Sequence, residues 1–261
     1  MDFELKILPT HLLHDYLEQI PKNLQQTFDA LHDAEISNDS FSFYTSISSV
    51  YSSKIEGEEI ELDNYIKHKK FGIEYLPDYT KKIDDLYNAY AFAKISVLNQ
   101  ENIYEAHKLL TKNIVAKHQQ GKLRNHNMYV STSDVRIEYV AISPFEVTSE
   151  INKLHDGIDV LLKEILSFEE VFFFAALIHL VFVKIHPFND GNGRSGRLIE
   201  KWFLAQKLGQ KAWFVTSEKN YYNHHQTYYK NLRALGFEYP ELDYSKSLPF
   251  LLMLLNSLMN S

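Results

Sequence analysis

Apolar positions recur three and four residues apart along most of the chain, and strand-like alternation is confined to one short stretch. Thr10 to Ile20 and Leu24 to Ala34 carry this helical spacing, as do Ile83 to Leu98 and Ile103 to Ile114. Phe41 to Ile55 is a Ser-rich candidate helix that stops at Gly57. Met128 to Val130 and Val135 to Val140 have strand composition, the second alternating clearly, and Ser131 to Asp134 between them suits a turn. A two-stranded hairpin is marginal alone in water, so this one is expected to rest on a helical body. Helix returns over Pro144 to Leu162. Phe168 to Ile185 is apolar nearly all round, which predicts a central buried helix ended by His186-Pro187. A further helix starts near Gly193 and runs to Leu208, with Gly209 as its stop signal, and Leu248 to Leu258 forms a short apolar one. The expected fold is all-α with a small β-hairpin.

Composition adds exclusions. The 261 residues include no cysteine, so disulfides and thiolate chemistry are absent. A formal net charge of −7 argues against a protein that works mainly on nucleic acid, though an anionic ligand could bind a local positive cluster. The N-terminus lacks a basic stretch followed by an apolar core. The longest uncharged run, Val171 to Val183, is shorter than the ~18 residues a bilayer requires. No membrane association and a cytoplasmic location are the expectation.

Candidate chemistry gathers in His186-Pro187-Phe188-Asn189-Asp190-Gly191-Asn192-Gly193-Arg194-Ser195-Gly196-Arg197. The glycines let backbone N–H groups converge, and the N-terminus of the following helix favours an anion at the same place. Arg194 and Arg197 share a face of the first turn, where they oppose the helix dipole unless a polyanion lies between them and the backbone. His186 offers a base and Asp190 a hard oxygen ligand for Mg²⁺. Gly191 to Gly196 matches G-x-G-x-x-G, but a helix precedes it and no βαβ unit surrounds it, which argues against a dinucleotide fold. Taken singly, His186 is a helix cap and Asp190-Gly191 a turn; neither reading accounts for the arginines. His179, on the same face as His186, reads as a satisfied core histidine, with no carboxylate spaced to help it. Glu56 heads an acidic run with Glu58, Glu59 and Glu61, a composition usual in solvated loops.

The loop resembles the signature of the Fic family, His-x-Phe-x-(Asp/Glu)-Gly-Asn-Gly-Arg-x-x-Arg, at every specified position from His186 to Arg197. The resemblance extends over roughly residues 40 to 235. It takes in Gly121-Lys122-Leu123-Arg124 and the hairpin, which lies where the family has its flap. Ser52 to Gly57 is similar to the family's inhibitory motif, (Ser/Thr)-x-x-x-Glu-(Gly/Asn), placed before the core. The organisation implied is a helical extension (1–40), a Fic core (41–240) and a C-terminal helix (241–261) on one domain.

What the resemblance implies is protein adenylyl transfer from ATP with Mg²⁺ to side-chain hydroxyls, including the protein's own. His186 would be the base and Asp190 the metal ligand. Gly191, Asn192 and Gly193 would form an anion hole, with Ser195 and Gly196 in the same cradle, and Arg194 and Arg197 would hold the β- and γ-phosphates. Tyr221 and Tyr222 sit where relatives place aromatics beside adenine, although packing or a partner surface over Tyr221 to Tyr229 fits as well. Ser52 and Glu56 would be regulatory, Glu56 restraining Arg197. A protein substrate would lie along the flap, residues 128–140, and a homodimer is left open. Two rivals stand beside this reading: removal of AMP by the same site with Glu56 orienting water, and a non-catalytic nucleotide-sensing module.

Overall fold

The computed structural model describes residues 5–38, 42–131 and 136–259, and among these the chain forms twelve α-helices and one hairpin. The helices are α1 (Leu13–Leu17), α2 (Leu24–Asp29), α3 (Phe43–Ile55), α4 (Leu62–Phe71), α5 (Pro77–Lys94) and α6 (Gln100–Leu110). After the strands β1 (Tyr129–Ser131) and β2 (Ile137–Val140) come α7 (Val147–Lys163), α8 (Phe168–Ile185), α9 (Asn192–Leu208), α10 (Ser217–Asn223), α11 (His225–Ala234) and α12 (Leu248–Met259). The expected fold class is what is found.

Helix α8 is the axis of the molecule. Every residue from Val171 to Ile185 is buried, as an all-round apolar helix requires. Its start is set by a capping box: Ser167 accepts from the Glu170 N–H, and the Glu170 carboxylate accepts from the Ser167 N–H at 2.8 Å. One hydrophobic cluster runs around it, from Leu8 near the N-terminus to Leu258 near the C-terminus. Helix α9 lies along α8, and a Cβ on Gly196 would come within 2.8 Å of both His179 and Val183, so glycine permits this close approach.

The Ser-rich composition of α3 has a structural reason. Ser48 and Ser52, four apart on one face of α3, accept hydrogen bonds from Lys201 at 2.6 Å and Arg197 at 2.8 Å, four apart on α9. Small hydroxyl side chains let the two helices meet while satisfying buried cations. Ser46 and Ser49 bond back to the carbonyls of Ser42 and Thr45.

The strands pair antiparallel, Tyr129 opposite Val140 and Val130 opposite Tyr139, with a bulge between Val130 and Ser131. The hairpin rests on the body as expected: the Val140 N–H bonds Phe237 O, and Arg233 of α11 grips both carboxylate oxygens of Glu138 at 3.0 Å. Most of the expected turn, Thr132 to Asp134, lies outside the described residues, as does Phe41 of the expected α3 start. The acidic run is exposed at Glu59 and Glu61, as its composition suggested, but not throughout. Glu58 and Ile60 are buried, and Leu62 opens α4, a helix that the apolar spacing does not announce. No helix among the described residues is long and apolar enough to cross a membrane.

Candidate active site

At the end of α8 the backbone of His186 turns into the left-handed region, φ 53° and ψ 58°, closing the helix one residue before Pro187. This swings the imidazole out to line a cleft of about 660 Å³ together with Lys184, Gly193 and Arg197. Its Nδ1–H donates to Val183 O at 3.2 Å, which fixes the tautomer and leaves Nε2 open, with no hydrogen-bond partner among the described residues. Burial pushes the pKa of His186 down to about 4, so near neutral pH the ring is uncharged and able to accept a proton.

The loop that follows is held from below. Asn192 and Phe188 exchange two hydrogen bonds of 2.9 Å between side-chain amide and backbone. The Phe188 ring stacks on His107 of α6 at 3.6 Å. His107 Nδ1 accepts from the Gly121 N–H, so the hydrogen is on Nε2 and is donated to Asp190 O at 2.9 Å. Arg124 binds the end of α8 to the flap: its guanidinium donates to the carbonyls of His186 (2.7 Å), His126 (2.8 Å) and Ile142 (2.6 Å). Gly191 has φ +76°, and a Cβ there would lie 2.7 Å from Thr111 Cγ2, so the turn into α9 demands glycine. The amides of 192–194 have no carbonyl one turn back and remain available for an anion.

Arg194 in the first turn of α9 and Arg197 in the second each face a carboxylate. Arg197 is 1% exposed; it donates Nε–H to Ser52 Oγ at 2.8 Å, and one of its terminal nitrogens donates to Ser52 O at 3.0 Å and Glu56 Oε1 at 2.6 Å. Glu56 ends α3, and its oxygen lies so close to Gly193 that a Cβ there would be 2.5 Å away. Burial works to raise the Glu56 pKa, but Arg197 and Arg194 together hold it below the ordinary carboxylate value. Glu56 in turn raises the pKa of Arg197 against the effect of burial. Arg194 pairs with Glu58.

The proposed cradle residues therefore divide. Gly191, Asn192, Gly193 and Arg194 surround the turn, with Asp190 exposed at its rim. Ser195 and Gly196 face inward: Ser195 Oγ is buried without a hydrogen-bond partner among the described residues and Gly196 sits against α8, so neither borders the cleft. Tyr221 is a correction. Its ring is fully buried and its hydroxyl donates to Glu200 at 2.7 Å. Tyr222 packs beside Tyr51 and Lys54, outside the cleft lining. Tyr228 and Tyr229 line the cleft instead, with Leu232 and Arg233, all from α11. Their spacing over one helical face was the signal in the sequence. His179 is satisfied in the core, yet a carboxylate does reach it: Glu200 at 2.8 Å from the facing helix, with Tyr228 on the other ring nitrogen. His107 left no local signal, since its role depends on what folds against it. Lys184, 4% exposed, lies over the Tyr139 ring at 4.1 Å, and burial lowers its pKa to about 8.

This helix–loop–helix with a basic first turn and a flap beside it defines a fold class already seen in other chains. Residues 97–204 match the Fic/DOC family. Similar solved structures include a Fic family protein from Desulfovibrio desulfuricans G20 (TM-score 0.70, 18% identity, 95% of this chain and 70% of that one). A Fic domain containing signaling protein from Bacteroides thetaiotaomicron is similar at TM-score 0.63 and 18% identity, over 96% of this chain and 93% of that one. Fic-1 from C. elegans is similar at TM-score 0.69 and 17% identity, over 96% and 71%. These likenesses establish the Fic fold. Comparison with curated proteins returns no match.

Proposed function

We propose that the protein transfers AMP from ATP to hydroxyl groups of protein side chains, itself included, and that Glu56 restrains it. Proteins with Fic domains are generally transferases of nucleotide or phosphate groups onto proteins. The observation that carries the reading is the neutral His186, with Nδ1 committed and Nε2 open, beside a glycine turn and two buried arginines. In the proposed reaction Nε2 takes the proton of the target hydroxyl. The hydroxyl oxygen bonds to the α-phosphorus, and the bond from that phosphorus to the bridging oxygen breaks, releasing pyrophosphate. The 192–194 amides and the arginines stabilise the phosphate charge. Adenine would occupy the apolar part of the cleft near Val130, Tyr228 and Tyr229, and a target segment would add to the outer edge of β1.

A divalent ion would fit Asp190. Among the described residues no group of three or more metal-ligating side chains exists, so the chain builds no metal cage of its own. A Mg²⁺ carried on phosphates needs only one or two carboxylates, and Asp190 presents one at the rim. When bound it would neutralise phosphate charge.

Arg197 cannot serve Glu56 and a phosphate fully at once, so the wild-type chain is expected to be weakly active. The test is self-labelling with α-³²P ATP and Mg²⁺ by wild type, Glu56→Gly and Glu56→Gly with Arg197→Ala. Strong labelling by Glu56→Gly alone is the expected result. No labelled product from Glu56→Gly, despite ATP binding, would point to a nucleotide-sensing module. Equal labelling of wild type and Glu56→Gly would remove the restraint and leave the transferase standing.

A further inference from the structure

We propose that Lys82 of α5, outside the Fic signature, is a further ligand for the distal phosphates of the nucleotide in a second, polar cleft beside the loop, and that Glu58 is the resident internal anion there. The proposal rests on the nucleotide reading above.

The cleft is bordered by Glu58, Lys82, Asn113, Asp190 and Arg194, with Glu56 at the boundary to the apolar cleft. Two cations from different elements converge on one carboxylate: Arg194 on Glu58 Oε2, and Lys82 Nζ at 3.3 Å from Oε1. Arg194 is 3% exposed and Glu58 5%. The carboxylate does not exhaust the arginine, because the buried Arg194 Nε has no hydrogen-bond partner among the described residues. A planar group with two oxygens is a partial substitute for a tetrahedral one with three, and the unmet donor marks the shortfall.

A purely structural ion pair is a weak explanation. Arg194, buried in the first turn of α9, works against its dipole, and a buried pair returns little net stability for its desolvation. An anion shared by Lys82, Arg194, Arg197 and the helix start removes both costs. Glu56 and Glu58 flank Gly57, whose φ is +91° and whose α-carbon faces open space, with nothing within 4 Å of the place a Cβ would take. One short, uncrowded turn therefore carries both internal anions. Each takes one arginine, and a movement of that turn frees the two together.

The chemistry separates ATP from AMP, which lacks the distal phosphates. Calorimetry with Mg–ATP and with AMP would compare the full chain as Glu56→Gly, Glu56→Gly/Lys82→Met and Glu56→Gly/Glu58→Gln. Lys82→Met should weaken Mg–ATP roughly tenfold and leave AMP unchanged, the size of one charge-assisted contact. Glu58→Gln should tighten Mg–ATP several-fold, again sparing AMP. Lys82 keeps 30% of its side chain exposed, so its loss tests the subsite even if Glu58→Gln fails to fold. Unchanged Mg–ATP affinity in Lys82→Met, or an equal loss for AMP, overturns the subsite alone. Absence of Mg–ATP binding by Glu56→Gly itself overturns the nucleotide reading and the subsite with it.

Discussion

His186 owes its role to backbone conformation as much as to its ring. A non-glycine residue in the left-handed region costs ~1–2 kcal/mol, and here that strain aims Nε2 at the cleft while Nδ1 stays on the helix. Asparagine tolerates the same conformation but has no basic nitrogen. His186→Asn should therefore keep ATP affinity while losing ~10²–10⁴-fold in transfer. A parallel fall in affinity and rate would make the residue structural. The pH profile gives a second test. An ordinary histidine titrates near ~6.5, whereas burial brings this one down to about 4. In the Glu56→Gly background, kcat/KM should stay level from pH 7 to about 5.5, since it reports the free enzyme's base. A halving centred near 6.5 would contradict the assignment.

At the scale of elements, the turn into α9 separates two uses of glycine. Gly191 and Gly72 both have positive φ, but only Gly191 has neighbours where a side chain would go. Gly72→Ala should cost ~1 kcal/mol in denaturant unfolding and leave nucleotide binding intact. Gly191→Ala should cost more and abolish binding, because Thr111 and Leu110 force the loop outward. Equal effects would mean that only backbone strain matters at Gly191. The limits of sequence reading follow the same division. Helix α8 was legible to the residue because its apolar run and its His186-Pro187 end both act locally. The signature loop was legible because its glycines and arginines are adjacent in sequence. Helix α4 was obscured by the acidic residues before it. Glu58 looked solvated because the cations that bury it, Arg194 and Lys82, are far along the chain. Tyr221 was misplaced for a related reason: its partner Glu200 faces it only after α9 and α10 pack.

For the whole molecule, buried neutral histidines should set the acid limb of stability. Burial brings His107 and His155 down to about 4; His107 also must accept from Gly121, and both ring nitrogens of His155 lack hydrogen-bond partners among the described residues. Below the unfolded pKa of ~6.5 the unfolded chain takes protons there that the native chain refuses, so stability falls as pH drops. By pH 5 the loss should be about 2 kcal/mol for each histidine. Urea unfolding at pH 7 and pH 5 would measure it, and His155→Leu should shrink the difference by about one histidine's share; an unchanged difference would reassign the effect. The burial of α8 on every side has a consequence for timing. Its amides have no local route to solvent, so they should exchange with deuterium only through global unfolding. The turn at the end of α3 is closed by bonds to carbonyls only three residues back, from Glu56 to Ser53 and from Gly57 to Lys54, which suits opening by itself. Hydrogen-exchange mass spectrometry should then find the peptides around Glu56 labelled long before those leading to His186. The restraint could come and go many times while the base beside it never leaves its place.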